Sequence, residues 1–122
     1  MVSRTNDLGK WGEKVASEYL VKIGYQVLDR NVRTEYGEID LIAEQGRILV
    51  FVEVKTRQSS TYGYPEESIT RLKIDHMIDS AKAYLQTIPD YEGDWRIDVV
   101  AVEINELDNQ PIITHFPNAV SE

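Results

Sequence analysis

The segment Gly37–Arg57, GEIDLIAEQGRILVFVEVKTR, constrains this chain more than any other. Two apolar, β-branched runs flank Glu44–Arg47, and Gly46 supplies the backbone freedom of a tight turn, so the segment predicts a β-hairpin. Strand side chains alternate faces, which points Glu53 and Lys55 one way and Val50, Val52 and Val54 the other. With Gln45-Gly46 as the turn, Asp40 faces Phe51 and Glu38 faces Glu53. Asp40, Glu53, Lys55 and Glu38 then share one face, while Ile39, Leu41, Val50, Val52 and Val54 share the face turned to the core. Asp40 and Glu53 become diagonal neighbours, roughly 7–8 Å apart at Cα. A one-residue slip would turn Asp40 to the opposite face.

Two carboxylates this close repel each other by about 3 kcal/mol at roughly 6 Å and an effective dielectric near 20. A divalent cation, Lys55, or a proton on one acid can offset that. Carboxylate oxygens with water and phosphate completing the shell suit Mg²⁺. On that reading Asp40 and Glu53 hold the ion, and Lys55 steadies the nucleophile or the developing charge. The alternative from these residues alone is an ion-pair cluster on a solvated sheet face, since E-x-K is a common tripeptide.

The rest of the chain frames the hairpin. Residues 6–23 predict a helix capped by Asn6 or Asp7, with Leu8, Val15, Ala16, Tyr19 and Ile23 as its apolar stripe and Glu13 on the flank. Gly9 and Gly12 leave its backbone open to close approach. Tyr25–Val32 predicts the first strand, with Tyr25, Val27 and Asp29 on one face, and Thr34–Gly37 predicts a turn. Thr56–Tyr64 reads as a loop at the mouth of the site, where Tyr62 and Tyr64 are candidates for base stacking. A second helix is expected from Pro65 to about Gln86, with Glu66 and Glu67 at its positive end. Lys73 and Arg71 are placed there to meet phosphate or solvent, and His76 reads as structural. Trp95–Ile104 predicts a strand buried on both faces, whose Asp98 needs Arg96 or a backbone donor. Gln110–Phe116 predicts an edge strand bracketed by Pro111 and Pro117, followed by a fraying tail from Asn118.

In this order the pieces GKWGEKVASEYLVKIGYQVLDRN, GEIDLIA, LVFVEVKTR, YGYPEESITRLK, RIDVVAVEI and THFPNAV are specific. They resemble the YraN-like family, which is related to Holliday junction resolvases and to the PD-(D/E)XK restriction-endonuclease-like superfamily. The resemblance implies an α/β fold, an αβββαβ core with a mixed central sheet flanked by helices. It places Asp40, Glu53 and Lys55 at the motif positions, with Ile39 where the motif's name has Pro. Glu13, in the G-x-x-x-E arrangement of Gly9–Glu13, matches the first-helix acid of the resolvases. The implied catalytic set is therefore Glu13, Asp40, Glu53 and Lys55. The implied metal ligands are Asp40, Glu53 and Glu13, for Mg²⁺ or Mn²⁺. The implied activity is metal-dependent endonucleolytic hydrolysis of DNA, branched or otherwise structured, and cutting two strands of a junction would favour a homodimer. Two other readings remain: a non-catalytic nucleic-acid-binding module, and a protein-interaction domain that keeps the nuclease fold.

A chain of 122 residues fits one domain, 1–122. No apolar run approaches the roughly 18 residues of a membrane span, and the N-terminus lacks a signal-peptide stretch. The lack of cysteine excludes disulfides and thiolate metal sites and suits the cytoplasm, the expected location. The net charge of −8 argues against a polyanionic partner, yet it is unevenly spread. Residues 1–57 carry nine Lys/Arg and nine Asp/Glu, whereas residues 58–122 carry four and twelve. This predicts a substrate face in the first half, an acidic back, and weak, salt-sensitive DNA affinity.

Overall fold

A computed structural model describes residues 4–58 and 70–120. Tyr62, Tyr64 and the expected helix start at Pro65, Glu66 and Glu67 lie outside the described residues. The element order is α1 (Arg4–Lys22), β1 (Gln26–Thr34), β2 (Gly37–Gln45), β3 (Ile48–Arg57), α2 (Arg71–Leu85), β4 (Trp95–Ile104) and β5 (Pro111–Val120). The five strands form one sheet in sequence order. Only β3 and β4 are parallel; the other three pairs are antiparallel. A parallel pair needs a crossover, and α2 supplies it. This is the expected α/β fold with a mixed sheet between helices, extended by the edge strand β5. No helix among the described residues is long and apolar enough to cross a membrane.

Alternation along the central strands divides the interior into two layers. Leu41, Ala43, Val50, Val52, Val100 and Val102 pack with Ala16 and Leu20 of α1. Ile42, Leu49, Phe51 and Ile97 pack with Ile78 and Ala81 of α2. Every residue from Ile97 to Val102 is buried, as a strand covered on both faces requires.

The hairpin register differs from the expected one by two residues. Gln45 pairs with Ile48, Ala43 with Val50 and Leu41 with Val52. The turn is therefore Gly46-Arg47. Gly46 alone takes a positive φ, +60°, at the first central position, whereas a Gln45-Gly46 turn would demand one of Gln45 as well. A shift of two preserves faces, so Asp40, Glu53 and Lys55 stay together, but Asp40 no longer lies opposite Phe51. Continued by one pair, the observed register sets it level with Glu53.

Ile39 also departs from expectation, packing on the α2 side with Val32, its partner across the strands. The break lies at Asn31 and Asp40. Asn31 adopts φ +52° within β1, and the β2–β3 pairing stops at Leu41–Val52. The Val54 N–H there donates to the Asp40 side chain. Nearer the start of β1, a register shift between Val27 and Asp29 separates those two residues, so Asp29 is exposed and does not share the face of Val27.

The helices shift in detail. Ala16 and Leu20 are fully buried, whereas Ile23 lies beyond the end of α1 and is 45% exposed. Helix α2 starts at Arg71, where the Thr70 hydroxyl caps it by accepting from the Lys73 N–H at 3.2 Å. Strand β5 continues past Pro117, which an edge strand tolerates at a register shift. Residues expected to fray are held there, with the Asn118 N–H donating to Asp98 at 2.9 Å.

Gly12 is the close approach that the sequence suggested. A Cβ at this position would collide with the Thr56 side chain, meeting its Cγ2 at 2.8 Å and its Cβ at 2.9 Å. Gly9 meets nothing comparable. Gly12→Ala gains about 1 kcal/mol of helix propensity but incurs about 1–3 kcal/mol of overpacking against a stiff β-branched neighbour. A net loss of about 1 kcal/mol is expected in urea unfolding, with α1 displaced beside Glu13.

Candidate metal centre

Glu13 reaches the site from α1, and Glu38 and Asp40 from β2. One carboxylate oxygen from each of the three lies within 4.8 Å of the others. Asn31 organises the group. Its Nδ2 donates to Glu13 Oε1 at 3.0 Å and to Glu38 Oε1 at 3.1 Å. The positive φ that interrupts β1 thus turns an amide toward two acids, a conformation asparagine accepts more readily than most residues. Asp40 Oδ2 accepts from the Val54 N–H at 2.8 Å. Arg33 lies 3.8 Å from Glu38 on an exposed surface.

Glu53, expected as a ligand, is not in this trio. Its side chain is 11% exposed, and its Oε1 lies 2.7 Å from Lys73 Nζ and 3.9 Å from Lys55 Nζ. Burial pushes the Asp40 carboxyl up to about 7, aided by the charge of Glu53 and more weakly by that of Glu13, against the Val54 hydrogen bond. Burial, with Lys73 alongside, holds the Lys55 ammonium below its ordinary value. Burial also acts against the Lys73 ammonium, but pairing with Glu53 outweighs it and the net shift is upward.

A cleft of about 410 Å³ opens between the β1–β2 turn and α2, and Asp40, Glu53, Glu38, Lys73, His76 and Tyr36 are among its walls. His76, expected to be structural, is exposed on that wall. Of the expected set, Glu13 and Asp40 converge directly, and Glu53 and Lys55 adjoin them. Sequence reasoning set Glu38 two residues from Asp40, on one expected face, without making it a ligand. Asn31 carried no signal beyond its tolerance of left-handed backbone.

The donors test well against a hard divalent cation. Three carboxylates gathered at one point repel, and an oxygen-only set suits Mg²⁺, Mn²⁺ or Ca²⁺. The arrangement can hold such an ion beside two lysines, at the edge of a cleft open to a ligand.

Residues 12–102 match the model of a family described as "Uncharacterised protein family UPF0102". The chain belongs to this family. It is also called the YraN family, as the motifs indicated. A UPF0102 protein of Syntrophomonas wolfei is 43% identical over 113 residues, covering 93% of this chain and 96% of the relative. One from Chlorobium limicola is 44% identical over 121 residues, covering 96% and 94%. Another, from Dehalococcoides mccartyi, is 37% identical over 122 residues, covering 100% and 99%. Among solved structures, SfsA of Pyrococcus furiosus in complex with Ca²⁺ aligns with a TM-score of 0.37 and 16% identity. That alignment covers 97% of this chain and 65% of SfsA.

Proposed function

We propose that this UPF0102 protein is a metal-dependent endonuclease that hydrolyses phosphodiester bonds of DNA, with branched DNA as its substrate class and Mg²⁺ or Mn²⁺ as its cation. One observation carries the reading: Glu13 arrives from a separate helix to join Asp40 and Glu38. A solvated ion-pair cluster would match acids with bases, whereas here acids are drawn together against their repulsion.

Glu13, Glu38 and Asp40 would hold the ion, with Glu53 adjoining. A cation bound there supplies charge neutralisation at a phosphoryl oxygen and lowers the pKa of its water. The chain's own residues set the stage. Asn31 fixes Glu13 and Glu38, and the Val54 N–H fixes Asp40. Lys55, 3.9 Å from Glu53, would stabilise negative charge that develops at phosphorus. A homodimer would bring two such sites to the two strands of a junction, and the cytoplasm is the proposed location. The second reading is a non-catalytic nucleic-acid-binding or protein-interaction module, of which the net charge of −8 favours the protein-interaction form. That module would bind its partner without Mg²⁺ and would ignore Asp40→Asn.

The test is a cleavage panel of labelled duplex, single-stranded, flap and four-way-junction DNA in Mg²⁺ and Mn²⁺. Lys55→Ala is expected to lower cleavage by about 100-fold or more with the fold intact. Wild-type turnover in that variant would contradict the assignment.

A further inference from the structure

The lysine that engages Glu53 is not the one in the E-x-K motif. Lys73 Nζ stands at charge-assisted hydrogen-bond length from Glu53 Oε1, 2.7 Å, whereas Lys55 Nζ at 3.9 Å does not. Helix stability does not explain Lys73. It is the third residue of α2, its N–H is already capped by Thr70, and a cation there opposes the helix macrodipole. The first turn of α2 contains no acid to compensate. Lys73 lines the cleft together with Glu38, Asp40 and Glu53, and Lys55 is not among the lining residues. An anion in the cleft therefore meets Lys73.

Glu53 has one negative charge to share. That charge acts on Asp40 as well as on Lys73, so a divalent cation at Asp40 would compete with Lys73 for it, and such a coupling is reciprocal. We propose that Lys73 is the phosphate-binding cation of the cleft, and that it reaches the nucleic-acid phosphate by surrendering Glu53 to the divalent cation. Cation loading thereby readies the cleft for substrate. The proposal rests on the metal-dependent reading above and adds a residue from the acidic half of the chain to the site.

Calorimetric Mn²⁺ titration without DNA, and anisotropy of a labelled four-way junction in Ca²⁺, test it with no cleavage readout. In Lys73→Gln, Mn²⁺ affinity should rise about tenfold as the competing charge is removed, while junction affinity in Ca²⁺ falls about tenfold. A merely structural lysine would weaken both. Lys73→Arg should stay near wild type in both, and Lys73→Met, checked by circular dichroism, repeats the test without an amide. Mn²⁺ affinity unchanged or weakened in a folded variant, or junction affinity unchanged, overturns the role of Lys73. If Asp40→Asn still abolishes Mn²⁺ binding in that case, the metal centre stands without Lys73. A wild-type protein that binds no Mn²⁺ overturns both.

Discussion

Asp98→Ala is expected to lower folding stability by about 3–5 kcal/mol, the range for breaking a buried ion pair from one side. Asp98 is fully buried and lies on the α1 face of the sheet. Its Oδ1 accepts from Arg96 Nε at 2.9 Å and from the Asn118 N–H at 2.9 Å. Its Oδ2 lies 2.7 Å from His115 Nε2 and 3.4 Å from the Tyr25 hydroxyl. Arg96 donates onward to Tyr25 and Gln45, and His115 Nδ1 meets the Tyr19 hydroxyl. Among the described residues no buried side-chain polar atom lacks a partner. Alanine would take the carboxylate from the half-buried Arg96 and His115 and release the end of β5 at Asn118. Such a loss is a large share of the roughly 5–15 kcal/mol that ordinarily holds a domain together. It would appear as a fall in Tm on the order of 10–20 °C. A loss under about 1 kcal/mol would mean that the network is not buried as described.

The second large effect is on pH. Cation binding requires the Asp40 carboxylate, and burial with the charges of Glu53 and Glu13 lifts that group to about 7. Below that value a proton must leave before a cation enters. Apparent Mn²⁺ affinity should therefore rise about 30-fold between roughly pH 5.5 and 8.5, most steeply below 7. An aspartate of ordinary pKa would give almost no change over that span. The stability sign is opposite. Between about pH 4 and 7 the folded protein holds a proton on Asp40 that the unfolded chain has released, so this group's contribution falls as pH rises. Added cation should reverse that fall by binding only the folded state. Calorimetric Mn²⁺ titration of the wild type across the range checks the first statement, and cation-free unfolding of wild type and Asp40→Asn at each pH, with the slope lost in the variant, checks the second.

The parts of the fold legible in the sequence were those written in alternation. The doubly buried β4 and the shared face of Glu53 and Lys55 follow from period-2 patterning, which a two-residue register error leaves intact. The register itself was not legible, because Gly46 can serve either central position of a turn and only the backbone shows which. Asn31 was invisible for a related reason. A left-handed residue inside a strand breaks the alternation on which the reading depends, and that break delivers an amide to Glu13 and Glu38. Partners distant in sequence were the other gap. Asp98 advertised its need, and Arg96 was named, but His115 and Tyr25 come from elements that only the folded sheet brings together. Lys73 could be placed early on a helix without any sign that Glu53 would meet it.

The most direct measurement starts a reaction by adding Mg²⁺ to chelator-stripped protein mixed with a labelled four-way junction near pH 8, with Asp40→Asn run in parallel. Strand cleavage by the wild type should begin with the cation and be absent from the folded variant. No cleavage by folded wild type in Mg²⁺ or Mn²⁺, or equal cleavage by Asp40→Asn, would contradict the metal-dependent reading.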